Sequence, residues 1–314
     1  RNVAIGLSAL YFNKTGYNNV ALGCQALNKN TASGNTATGY QALALNETGS
    51  NNVATGFQAL YNNIIGNDNT ATGSQALYSN TDGSGNVATG YNALYYNQDG
   101  SCNVAVGSRA LYNNTGASDN VALGEQALYS NTASYNTAIG SNALYANTTG
   151  GSNVATGTFA LYKNTIGSNN VATGHSALYS NTDGSGNVAT GSDALHDNSG
   201  GSYNTATGYQ ALYKNTSGDY NVATGYGALI NNTTGNYNVA TGYATLSSND
   251  ASYNTAIGYY AGKGQTDISN TINVGYDASC NASNTACIGN ADISCVYLGS
   301  TSGLAKLDCS GIVS

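Results

Sequence analysis

A repeat of seventeen residues constrains this chain more than any other feature. The string Asn-(Val/Thr)-Ala-x-Gly begins sixteen times between Asn2 and Asn254, at a spacing of 17 residues except for three steps of 16. If the first Asn of each copy is column 0, Ala at column 2 and Gly at column 4 occur in all sixteen copies. Leu at column 8 and Asn at column 11 occur in fifteen. Such recurrence predicts stacked units in which every column lies on the same column of its neighbours.

The unit is too short for a helical hairpin repeat, and its residues are typical of strands and turns. We expect Asn-Val-Ala-Thr-Gly to form one short strand and Gln-Ala-Leu-Tyr a second, with Asn, Thr and Gly in the turns. The prediction is therefore an all-β β-solenoid of about 16 coils of 16–17 residues. Strands about 4.8 Å apart would make a rod on the order of 75 Å long. The short copies, which begin at Asn19, Asn120 and Asn238, lack one turn residue, and we expect the turn to absorb this deletion.

Two columns are predicted to form ladders inside the coils. Column 8 supplies one large aliphatic side chain per coil, and inward Asn side chains at column 11 can bond both their own turn and the next coil. The core Leu ladder includes Leu60, Leu77, Leu94, Leu111 and Leu128. The structural Asn ladder includes Asn13, Asn30, Asn46, Asn63, Asn80, Asn97, Asn114 and Asn131.

One Leu per coil does not stabilise a solitary rod. Burying it contributes roughly 2 kcal/mol, whereas ordering costs about 1.5 kcal/mol for each residue. A second buried face is therefore expected, and self-association through columns 1 and 3 is its simplest source. Column 1 holds Val or Thr, and column 3 holds Thr, Ile, Leu or Val.

Composition excludes several classes of function. The net charge is −7 with only 8 Lys and Arg, which argues against a nucleic-acid partner. No apolar run approaches the roughly 20 residues of a membrane span, and no signal peptide is visible. A chain that starts at Arg1 and contains no Met is expected to be a processed or trimmed piece. Residues 1–258 form the regular array, and residues 259–314 are expected to be irregular, Cys-containing terminal coils.

The repeat resembles those of two fibre families. Asn18-Asn19-Val20-Ala21-Leu22-Gly23 is similar to the head repeats of trimeric autotransporter adhesins, and the segment 136–150 is more similar to repeats of phage or viral tail-fibre proteins. The resemblance implies a left-handed parallel β-roll assembled as a homotrimer. The adhesin heads use a shorter unit of about fourteen residues, which this chain approaches only after Gly258.

Cysteines and sequons suggest modifications. Four cysteines crowd the irregular tail: Cys280, Cys287, Cys295 and Cys309. The sequence leaves disulfides among them and free thiols as two open alternatives. Their spacing fits no zinc motif. Most Asn-x-Ser/Thr sequons fall at column 11 because of the repeat itself. Asn281 lies outside the regular array and is the best candidate for N-glycosylation.

Tyr recurs at column 9, as at Tyr61, Tyr78, Tyr95, Tyr112 and Tyr129. Such a column favours stacking along the rod, with a glycan or partner contact as the alternative. No catalytic, cofactor or metal constellation recurs, so we predict no enzyme and no cofactor.

The leading hypothesis is an extracellular, cell-surface or virion fibre shaft. It would be a homotrimer, with higher filaments and a cell-surface glycan or receptor as further candidate partners. The alternatives are a lectin-like adhesin using the Tyr column and an ice-binding protein using Thr pairs. These pairs are Thr36/Thr38, Thr70/Thr72 and Thr205/Thr207.

Overall fold

The computed structural model describes residues 1–292, and Cys295 and Cys309 lie outside these residues. The described chain is all-β, with one short strand in each coil and no helix. The strands are β1 (Asn2–Ile5), β2 (Asn19–Leu22), β3 (Thr36–Thr38), β4 (Val53–Thr55), β5 (Thr70–Thr72), β6 (Val87–Thr89), β7 (Val104–Val106), β8 (Val121–Leu123), β9 (Thr137–Ile139), β10 (Val154–Thr156), β11 (Val171–Thr173), β12 (Val188–Thr190), β13 (Thr205–Thr207), β14 (Val222–Thr224), β15 (Val239–Thr241), β16 (Thr255–Ile257), β17 (Ile272–Val274) and β18 (Ala286–Ile288).

The strands form one parallel sheet in which each strand pairs with the strands before and after it along the chain. Like columns pair with like columns, as where Ala54 lies beside Ala71. The register holds at the three steps of 16 residues, between β2 and β3, β8 and β9, and β15 and β16. The predicted β-solenoid is thus confirmed, and the turn absorbs each deletion without shifting the strands.

The expectation of a second strand was wrong. The Gln-Ala-Leu-Tyr segment is a turn, in which the residues at columns 6 and 8 adopt left-handed backbone angles, such as φ 52° at both Gln58 and Leu60. Its amides nevertheless bond between coils: Leu60 N donates to Ala76 O at 2.9 Å, and Gln58 N donates to Tyr40 O at 2.9 Å. The amides of this turn therefore donate alternately to the next and to the previous coil, and these hydrogen bonds replace the ladder of a second strand.

The core is a narrow interior of small and medium side chains. In coil after coil, Ala at columns 2 and 7 and Leu at column 8 are fully buried, and they form one continuous cluster from Ala21 to Ala261. Columns 1 and 3 point the other way, and Val53, Val87 and Val154 at column 1 are 36–39% exposed. The core Leu ladder therefore lies inside, whereas the β-branched strand face lies outside.

The sheet continues past Gly258 into less regular coils. β17 pairs with β16, and β18 follows after a shorter connection. Here Asn273 replaces the column-2 Ala, and Gln265 replaces the column-11 Asn. Gln265 Nε2 donates to Asn273 Oδ1 at 3.1 Å and to Cys280 O at 2.9 Å, so buried amide bonding takes the place of the Leu column.

Candidate functional site

The column-11 Asn side chains form a buried amide ladder. In regular coils, Nδ2 of each donates to Oδ1 of the Asn in the previous coil and to a carbonyl of its own turn. Asn80 is an example: Nδ2 lies 2.7 Å from Asn63 Oδ1 and 2.9 Å from Gly83 O. Asn97 Nδ2 in turn donates to Asn80 Oδ1 at 2.8 Å. The Asn ladder thus closes each turn and joins it to its neighbour.

A second Asn ladder runs along column 0. The backbone N–H of each column-0 Asn donates to Oδ1 of the column-0 Asn one coil earlier, as Asn86 N does to Asn69 Oδ1 at 2.9 Å. Its Nδ2 donates to a turn carbonyl at the end of its own coil, Gly100 O at 2.8 Å. This ladder continues without a gap from Asn2 to Thr271.

The column-11 ladder, in contrast, breaks at each of the three shortened turns. The amide in a shortened turn bonds within its own turn or not at all: Asn30 Nδ2 donates to Ala32 O and Asn131 Nδ2 to Ala133 O, while Asn249 Nδ2 has no partner among the described residues. The Asn one coil earlier therefore loses its donor. Its buried Oδ1 has no described partner at Asn13, Asn114 and Asn232. The predicted Asn ladder is present, but nothing in the sequence indicated these three breaks.

The turns also carry three consecutive N–H groups, at columns 12 to 14. In regular coils two or all three of them bond to one carbonyl of the next coil. Ile64, Ile65 and Gly66, for example, all donate to Thr81 O, at 3.0–3.2 Å. In the coil before the last shortened turn, a carboxylate takes that place. Asp250 Oδ1 accepts from the N–H groups of Thr233, Thr234 and Gly235 at 2.6, 2.7 and 3.3 Å.

Asp250 Oδ2 accepts in addition from Thr233 Oγ1. Burial raises the pKa of Asp250, but the hydrogen bonds from Thr233 Oγ1 and the three N–H groups lower it further than burial raises it. The net pKa lies below its ordinary value, because four donors favour the charged form.

We expect Asp250 to make stability depend on acidity. A lowered folded-state pKa contributes stability that is present above the unfolded pKa, about 3.9, and is lost as the pH falls through the lower folded value. Asp250→Asn should therefore flatten the decline in stability below about pH 4. Urea unfolding of both proteins from pH 3 to pH 7 measures this. Asp82→Asn, at an exposed turn, is the control and should keep the wild-type dependence of the unfolding free energy on pH. If Asp250→Asn shows that same dependence, the role of Asp250 is contradicted.

Aromatic rings form a continuous stack at column 9. Adjacent centroids are 4.9–5.4 Å apart, and interplanar angles are at most 19°. The stack comprises Tyr61, Tyr78, Tyr95, Tyr112, Tyr129, Tyr145, Tyr162, Tyr179, His196 and Tyr213. The ring of His196 fills one position of this stack, between Tyr179 and Tyr213.

The stacking limits what column 9 can bind. A sugar ring packs on the face of an aromatic ring, and within the stack each face is covered by the next residue. The side chains are half-buried, so ring edges and hydroxyl groups are what a ligand could reach. Burial and the neighbouring Tyr96 hydroxyl raise the pKa of Tyr112 to about 12. A glycan contact at these residues stays a prediction, with hydroxyl groups rather than ring faces as its basis.

Two further aromatic stacks flank the strand face near its C-terminal part. Tyr203, Tyr220, Tyr237 and Tyr253 precede column 0, with centroids 5.1–5.3 Å apart. Tyr209, Tyr226, Tyr243, Tyr259 and Tyr276 occupy column 5, at 4.9–5.7 Å. The Thr pairs at β3, β5 and β13 lie on the same strand face, interrupted by Val in most other strands. The exposed face is therefore mixed aromatic and β-branched.

The cysteines and the sequons take distinct positions. Cys280 and Cys287 form a disulfide, with their Cα atoms 5.6 Å apart, across the connection between β17 and β18. Cys24 and Cys102 are not in disulfides within the described residues. Asn281 is exposed beside the disulfide, whereas the column-11 sequon residues Asn46 and Asn147 are fully buried. A glycan could therefore attach at Asn281 without disturbing a ladder.

Neither a metal cluster nor a transmembrane helix is present in residues 1–292. No group of three or more His, Cys, Asp and Glu side chains there could hold an ion. Within the same residues, no helix is long and apolar enough to span a bilayer. His196 Nδ1 lies 2.7 Å from Asp197 Oδ1, which is a neighbouring pair on the outside of the stack rather than part of a larger cluster.

Comparison with known proteins adds no assignment. No protein-family model matches the chain, and no curated protein matches its sequence. Proposals about function therefore depend on the geometry of the coil, on its exposed strand face and on the sequence resemblance.

Proposed function

We propose that the chain is the shaft of an extracellular or virion fibre, assembled as a homotrimer through the strand face. The observation that carries the proposal is the constant register of the strands. With β1 to β18 pairing like column on like column, the described coils extend about 80 Å at roughly 4.8 Å per strand. A long, uniform body of this kind holds something at a distance, which is what a shaft does.

The strand face supports self-association. Val at column 1 stays more than a third exposed at Val53, Val87 and Val154, and exposed apolar strips of this length are uncommon on monomers. A partner that covers the whole strip must repeat with the same rise in every coil. A second and third copy of this chain meet that requirement, and an unrelated surface does not.

An extracellular or virion location agrees with the disulfide between Cys280 and Cys287, since disulfides persist in oxidising compartments. Adhesion is a further role of the shaft, for which the Tyr hydroxyl groups of column 9 are the candidate contacts.

Light scattering tests the assembly. The expected mass is about 95 kDa, three times the 31.8 kDa of one chain. A charge at the centre of the strand face, Val87→Lys, should dissociate the trimer or unfold it, because the ammonium group would be buried between copies. Thr149→Lys, in an exposed turn away from that face, should leave the mass unchanged. A monodisperse, folded wild-type monomer would overturn the proposal.

A further inference from the structure

The three shortened turns create three equivalent sets of backbone donors. Each set consists of the consecutive N–H groups at columns 12 to 14 in the coil before the deletion. They are the 14–16 triad, the 115–117 triad and the 233–235 triad. In regular coils two or all three of the same donors bond to one carbonyl oxygen of the next coil. Before a shortened turn, that carbonyl no longer accepts them.

The 233–235 triad shows what chemistry such a site takes. Its acceptor is the carboxylate of Asp250, whose Oδ1 receives all three N–H groups. Asp250 is itself the column-12 residue of the next coil, so a side-chain oxyanion has replaced the backbone oxygen of the same residue. Three converging N–H groups are a general anion-binding arrangement, since their dipoles add at one point.

The other two triads have no acceptor among the described residues. The N–H groups of Lys14, Thr15 and Gly16, and those of Thr115, Gly116 and Ala117, bond to nothing within residues 1–292. The residues that correspond to Asp250 are Thr31 and Thr132. Their hydroxyl groups turn to the following coil, where they donate to Glu47 O at 2.7 Å and Thr148 O at 2.9 Å.

Open space at the 115–117 triad and a positive charge at the 14–16 triad favour a small anionic ligand. A Cβ added to Gly116 would meet nothing within 4 Å, so the middle of the 115–117 triad faces open space. The third residue, Ala117, is nearly buried, at 6% exposure, which shields one side from water. Lys14 brings a positive charge to the 14–16 triad, and the 115–117 triad contains no charged residue.

We propose that the 14–16 and 115–117 triads are binding sites for a carboxylate or another small oxyanion. The ligand occupies the position that the Asp250 carboxylate occupies in the 233–235 triad, and accepts the same three hydrogen bonds. Lys14 makes the first site the tighter of the two. The 233–235 triad is closed to such ligands by its own side chain.

Amide NMR of the intact ¹⁵N-labelled protein tests this directly. Sodium acetate and sodium phosphate are titrated separately, with ionic strength held constant by sodium chloride. Both probes should shift the amide protons of residues 14–16 and 115–117 downfield and saturably, and those of residues 233–235 should not move. Response to phosphate alone would restrict the ligand to inorganic oxyanions, and response to acetate shows that carboxylates bind. Movement no larger than at other exposed turns, with either probe, overturns the proposal.

Exchanging the column-12 residues provides the matched controls. Thr31→Asp should supply an internal carboxylate and abolish the response of residues 14–16 while leaving residues 115–117 responsive. Thr132→Asp should do the reverse. Asp250→Thr should make residues 233–235 responsive. An Asp variant that keeps the full response at its own triad contradicts the site, and the two variants test separate triads should one fail to fold.

Thermal unfolding gives an independent readout. Phosphate raises the stability of folded proteins in general, because it is excluded from their surfaces. The wild type is therefore compared with the Thr31→Asp/Thr132→Asp double variant, which shares this general effect. The double variant should melt higher in chloride and gain less from phosphate, because its sites are already filled. Equal gains for the two proteins would contradict specific binding.

Discussion

Replacing Gly90 with alanine is expected to destabilise the coil by about 4 kcal/mol, which is among the largest effects of a single methyl group. Gly90 occupies column 4 at φ 134°, a conformation that residues with a side chain rarely adopt. A Cβ there would lie 2.6 Å from Gly107 O and 2.7 Å from Gly107 C in the next coil. Both atoms belong to the backbone of the stack, so neither can move without opening it.

Gly116→Ala is the matched control for this prediction. Its added Cβ meets no atom within 4 Å, and its φ is not left-handed. We expect no loss, or a gain of about 0.5 kcal/mol through the lower entropy of the unfolded chain. Urea unfolding followed by circular dichroism compares the two variants, and hydrogen exchange locates the effect, which should centre on the coil of Gly90. Similar stabilities for both variants would show that neighbouring coils can move apart at column 4 without loss of stability, which would contradict the prediction.

Asn80→Asp is expected to cost about 4 kcal/mol at neutral pH although it keeps the size and shape of the side chain. Asn80 is fully buried, and its Nδ2 donates to Asn63 Oδ1 and Gly83 O. A carboxylate has no proton to donate, so two acceptors would face a buried negative charge. The cost should shrink in acid, because protonation neutralises the group and restores one donor.

Asn113→Asp is the control, since Asn113 is half-buried one position before the ladder and makes no side-chain hydrogen bond within the described residues. It should change the free energy of unfolding by less than about 0.5 kcal/mol. Denaturant midpoints at pH 7 and pH 4 distinguish the two variants. If Asn80→Asp is no worse than Asn113→Asp, the amide ladder contributes nothing to stability.

The period of the repeat was sufficient to predict the stacked coils, the like-on-like register and the buried Leu and Asn columns. It could not predict the left-handed backbone at Gln58 and Leu60, because side-chain preferences argue against it and only the hydrogen bonds between coils impose it. A strand was the wrong interpretation of that segment for this reason.

The donor triads escaped prediction for a different reason. Periodicity describes what recurs, whereas Asp250 stands at a column where the other two shortened turns have Thr. The deletions themselves were visible and were rightly assigned to turns. Their effect on the Asn ladder depends on which way one amide group points, as at Asn131, and no spacing reports that. The sequence signal that could have pointed to Asp250 is an acidic residue in the turn of a shortened copy, where the other two shortened copies have Thr.

The breaks in the column-11 ladder divide the rod mechanically. Unbroken amide bonding links Asn30 to Asn114 and Asn131 to Asn232, and across each break the column-0 ladder remains. Under a pulling force, neighbouring coils should part first at these weaker junctions. A rod so constructed would yield in a few segments of fixed length, and extension by an optical trap would show a small number of large steps.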